Sequence, residues 1–237
     1  MDRGRGQGAR QSAGGPAGRL GRRVYRERAV GDRLRLTIEP FKRRGLVCRG
    51  GWFARGGLNV LSAEKGLLGS NYWGKHLPIP ARDISLDLNF DAVPPIGIPA
   101  SVNVTGAERT SFYPTVEKTS AAFGYEIEAD AEPGAGHYYR SDHFSLARAG
   151  VPAFSINTAL KFEGHPAEWG RAQREEYTAK HYHQPSDEYS SEMDFSSNAA
   201  LAQFGYALGW EALDAPSSIT WQPGDEFEAA RKSSASP

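Results

Sequence analysis

Three places along this 237-residue chain put acid or imidazole groups where a metal or a proton can be handled: Glu64, Asp91 and the cluster His181-Tyr182-His183. Carboxylates and imidazoles are the oxygen and nitrogen donors that zinc accepts at about 2.0–2.2 Å. Glu64 follows the short apolar run Leu58-Asn-Val-Leu-Ser62, and Asp91 closes the alternating run from Ile84 to Phe90, so both stand where strands end. In α/β sheets, ligands bind at the carboxyl ends of strands. Pro94 and Pro95 force a loop beyond Asp91. A carboxylate there either ligates something or caps a turn, and the residues alone leave both readings open.

The elements that must position these groups follow from hydrophobic periodicity. Ile84, Leu86, Leu88 and Phe90 fall on one face of an alternating strand, and further strands are expected at 58–62, 102–104, 125–128 and 151–156. Helical spacing is expected at 66–76, packing Leu67, Leu68, Tyr72 and Trp73, and at 112–123. A helix at 141–149 has Ser141 as its expected N-cap, and one at 194–213 spaces Leu201, Phe204, Leu208 and Ala212 along a face. Strands alternating with helices predict an α/β fold with a mixed, mostly parallel central sheet and helices on both faces. Among the other histidines, His76 ends a helix and His137 and His165 are loop residues, while His181 is placed to orient His183 as an outer partner.

Composition divides the chain. Hydrophobic residues at 39% suffice for a packed core over one domain, and the formal net charge is zero. That zero is a cancellation: residues 1–57 carry 15 Lys+Arg against 4 Asp+Glu, leaving 13 against 24 for the rest. The same segment holds 13 of the 27 glycines. It is read as a disordered or out-of-frame stretch, against the alternative of an Arg-Gly arm for nucleic acid, which composition alone does not support. Residues 58–215 form the ordered domain and 216–237 a polar C-terminal tail. The single cysteine, Cys48, excludes a disulfide framework and a Cys-based zinc cluster. No run reaches the roughly 18 apolar residues of a membrane span. No secretory signal is visible either, and the compartment stays open.

Four segments in order carry a resemblance: Ala63-Glu-Lys-Gly-Leu-Leu-Gly-Ser70, Leu88-Asn-Phe-Asp91, Tyr139 through Ala153, and Tyr182-His-Gln-Pro-Ser-Asp-Glu188. Together they resemble the di-zinc peptidase family that includes bacterial leucyl aminopeptidases, glutamate carboxypeptidase and the transferrin receptor. The resemblance spans about residues 58–215 and implies a zinc-exopeptidase-like fold, two zinc ions, a peptide substrate and removal of N-terminal residues. It implies zinc ligation by Glu64, Asp91 and His183, and a substrate pocket lined by Tyr139, Arg140, Ser141, Asp142 and His143. The family's Glu-Glu pair falls on Ala63-Glu64, which leaves alanine in the general-base slot. In the alternative register Glu64 is the base and Lys65 takes the ligand slot, where an ammonium cannot bind zinc.

The family's first ligands come from an upstream His-x-Asp segment and a bridging Gly-x-x-Asp segment. Residues 1–63 contain no histidine, and their only aspartates are Asp2 and Asp32. The chain is therefore expected to be an N-terminally incomplete member, with zinc weak or absent and hydrolysis impaired. The rival expectation is a non-catalytic, peptidase-like binding module. Glu64, Asp91 and His183 are expected to converge within about 4–8 Å, a span set by two ions and ligand bonds of about 2 Å.

Overall fold

The alternation around Asp91 produces strand β1 (Asp87–Asn89), which pairs in parallel with β4 (Ala153–Ser155) in the register Asp87↔Ala153, Leu88↔Phe154 and Asn89↔Ser155. This computed structural model describes residues 66–91, 93–130 and 133–235, all within one folded unit. The expected strand at 58–62, the Glu64 site and the basic N-terminal segment lie outside the described residues. A second sheet has the order β3-β2-β5, from β2 (Ser101–Asn103), β3 (Glu126–Ile127) and β5 (Asn157–Thr158). β2 runs parallel to β3 and antiparallel to β5. The fold is thus α/β with mostly parallel strands and flanking helices. The strands form two short sheets among the described residues, where one central sheet was expected.

The helices are α1 (Leu68–Lys75), α2 (Tyr113–Phe123), α3 (His143–Arg148), α4 (Trp169–Lys180), α5 (Ser196–Leu213) and α6 (Glu228–Ala235). α2 carries proline in its first turn and stops at Gly124, whose φ of 79° closes the last turn. α5 begins where Asp194 accepts the Ser196 N–H at 2.9 Å. Its Leu201, Phe204 and Leu208 are buried at the expected spacing. They meet Val102, Val116, Phe154 and Ile156 in the main core, each worth roughly 1.5–3 kcal/mol when fully buried.

Three elements depart from expectation. In α1, Leu68 and Tyr72 are 63% and 67% exposed, and the buried residue is Ser70. Small residues explain this: the Ser70 and Ser145 hydroxyls meet at 3.1 Å, and a Cβ on Gly74 would lie 2.7 Å from the Ser145 carbonyl oxygen. The closeness of the α1–α3 contact turns the larger side chains outward. α4 was not anticipated at all. The segment after Pro216, expected as a polar tail, buries Ile219, Trp221 and Phe227 and ends in α6. Trp221 and Phe227 join Tyr138, Ala147 and Ala153 in a second core.

Candidate metal and substrate site

Asp91 sits two residues beyond β1, at the carboxyl end of the parallel pair, with its side chain open to solvent. Neighbouring polar groups fix it. Ser141 Oγ donates to Asp91 Oδ2 at 2.7 Å, and Asn89 Nδ2 donates to Ser141 Oγ at 2.9 Å. The Asn157 amide donates to the Asp91 backbone oxygen at 2.7 Å. An O–H donor of this length to a carboxylate is a strong, orienting contact. Ser141 therefore spends its hydroxyl on Asp91. The residue capping α3 is Asp142, with no side-chain hydrogen bond to the helix, which corrects the expected Ser141 cap. Sequence reasoning missed Asn89, although strand alternation puts it on the same face as Asp91.

The segment expected to line a substrate pocket is split by burial. Tyr139 and Arg140 are exposed, Asp142 is half-buried, and Ser141 and His143 are buried. A ligand can touch the first two directly. His143 is 1% exposed, lies edge-on to the Tyr138 ring at 4.6 Å, and neither ring nitrogen has a hydrogen-bond partner. Burial, then the Arg109 charge, pulls its pKa down to about 4, so it is neutral near pH 7. Asp87 on β1 moves the other way: burial and then the Asp142 carboxylate push it up to about 7.

His183 stands at the tip of a turn after α4, with an uncommon positive φ of 58°. Its ring stacks on Tyr182 at 3.9 Å. Three contacts tie the turn. Tyr177 Oη donates to Asp187 Oδ2 at 2.8 Å, Ser186 Oγ donates to the Lys180 carbonyl at 2.6 Å, and His181 Nδ1 meets the Ser186 carbonyl at 2.9 Å. His181 thus braces the turn that carries His183. Of the remaining histidines, His76 follows α1 as its C-cap with its ring tilted against Tyr72 at 4.3 Å, and His165 stacks on Trp169 at 3.7 Å.

Asp91 and His183 have donor chemistry suited to zinc. Among the described residues, however, no three His, Cys, Asp or Glu side chains gather closely enough to hold a metal ion. The described residues alone do not make a zinc site, and Glu64 lies outside them.

The family model described as Peptidase family M28 matches residues 59–206. That is more than half of the chain, and the chain belongs to this family of zinc-dependent metallopeptidases, whose substrates are peptides. No curated protein and no solved structure gives a significant match. No helix among the described residues is long and apolar enough to cross a membrane.

Proposed function

We propose that this chain is an aminopeptidase-type member of its family with impaired catalysis. In this reading Glu64, Asp91 and His183 are zinc ligands for a site of two ions, and Tyr139–His143 forms the substrate side. The observation that best supports it is the Asn89–Ser141–Asp91 chain, which fixes a solvent-open carboxylate at a strand end in the way metal ligands are usually held. Zinc, when bound, supplies a water of lowered pKa and polarises the scissile carbonyl. The chain's own deficiency lies in its proton chemistry. Ala63 stands in the base slot and its methyl group cannot take a proton, a loss of about 10²–10⁴-fold in rate by itself. Residues 1–63 hold no histidine, and Asp2 and Asp32 stand in no Gly-x-x-Asp context, so this stretch supplies neither of the family's first ligands.

The test is zinc content and turnover of amino-acid anilides by the purified chain. Weak zinc and hydrolysis near background are expected. Ala63→Glu alone should not restore turnover, whereas the same change joined to a segment supplying the first histidine and the bridging aspartate should. Robust, chelator-sensitive hydrolysis by the unmodified chain would overturn the reading. The alanine at the base position also motivates a second reading, a non-catalytic peptide-binding module. Peptide binding that persists unchanged in metal-free buffer separates it from the first.

A further inference from the structure

Residues 216–235 lie beyond the stretch matched by the family, yet they reach into the middle of the fold. The Gln222 N–H donates to the Arg109 carbonyl at 2.7 Å, and the Ser111 N–H donates to the Thr220 carbonyl at 2.8 Å. The Arg109 guanidinium lies over the Tyr138 and Phe227 rings, each 4.7 Å away, with Trp221 at 5.7 Å. Arg109 Nε donates to Asp225 Oδ2 at 2.7 Å and Nη2 to Glu226 Oε1 at 2.8 Å. Glu226 Oε1 also accepts the Tyr139 hydroxyl at 2.8 Å. One carboxylate oxygen therefore joins the C-terminal segment, the half-buried Arg109 cation and the exposed Tyr139 ring two residues before Ser141. Further along, α6 closes on Gly150, where a Cβ would lie 2.6 Å from the Arg231 nitrogen.

We propose that the C-terminal segment is a clamp on the Tyr138–His143 segment, with Glu226 as the positioning residue that fixes Tyr139 and, through the following backbone, the Ser141 hydroxyl on Asp91. The inference does not depend on whether the chain turns over peptides. An exposed ion pair contributes little to global stability. Glu226 is half exposed, so its expected effect is local.

Residue-resolved hydrogen exchange on the full chain tests this. The Tyr139 and Phe144 amides donate to the Gly136 and Ser141 carbonyls, and both report on the segment. In Glu226→Ala these amides should exchange about tenfold faster, with α2 and α5 unchanged, because local opening is separable from global unfolding. Glu226→Gln keeps an acceptor oxygen and should return exchange to near the wild-type rate. Tyr139→Phe removes only the hydroxyl and should reproduce the local acceleration, and it carries the test if Glu226→Ala does not fold. Unchanged exchange at residues 139 and 144 would overturn the proposal. So would equal acceleration in α2 and α5, which would make Glu226 a contributor to overall stability only.

Discussion

Two titratable groups on neighbouring elements, the half-buried Asp87 and the buried His143, pull in opposite directions with pH. Asp87, raised from 3.8 to about 7, binds its proton more tightly folded than unfolded. It favours the fold fully below about pH 4 and loses that contribution as pH rises through 7. His143, lowered from 6.5 to about 4, does the reverse: its contribution is present above pH 6.5 and lost as pH falls through 4. Between pH 4.5 and 6.5 each state carries one of the two protons, so the two slopes cancel. Asp87→Asn leaves His143 alone. In urea titrations across that window, the variant's stability should rise with pH more steeply than the wild type's, by up to about 1.4 kcal/mol per unit. Parallel curves for the two proteins would remove this account. At this scale the sequence was informative where chemistry repeats along a strand. The position of Asp91 just beyond a strand was legible because alternation ends on it. The burial of His143 and the diversion of the Ser141 hydroxyl to Asp91 were not, since both depend on what α3 packs against.

Helix contacts explain most of what periodicity misjudged. The large residues of α1 promised an apolar face, but the contact with α3 is made by Ser70 and Gly74, one turn apart. Two small residues let backbones approach more closely than two large ones, and a hydrophobicity pattern does not register them. α4 escaped notice because only Gly170 along it is buried. The glycines give a paired test. Gly→Ala in a helix gains up to about 1 kcal/mol from propensity. At Gly209 nothing lies within 4 Å of the added methyl, so Gly209→Ala should raise the melting temperature. At Gly74 the methyl meets the Ser145 carbonyl at 2.7 Å, and overpacking of about 1–3 kcal/mol should outweigh the same gain. A Gly74→Ala protein as stable as the wild type would mean that α1 and α3 are not in close contact.

At the scale of the whole molecule, the order of strands and helices and the identity of the α5 core residues were readable from the sequence. The closure of the second core by residues 221–227 was not, because Gly, Pro, Asp and Glu around Trp221 and Phe227 disguise two buried aromatics as a loop. A chain ending at Ala215 would lose Ile219, Trp221 and Phe227, together roughly 5–9 kcal/mol of burial against a typical domain stability of about 5–15 kcal/mol. Loss of its cooperative thermal transition is expected by near-ultraviolet circular dichroism, and a melting curve like the full chain's would contradict the packing described. The clamp also sets when the fold can be completed. Arg231 Nη1 donates to the Ala81 carbonyl and Arg82 Nη1 to the Ser234 carbonyl, pairs 150 and 152 residues apart. Contacts this distant in sequence slow folding. During synthesis, the nascent chain can assemble α2, β2 and α5 first, but its second core stays open, with Tyr138 unsheltered, until residues 221–227 have left the ribosome.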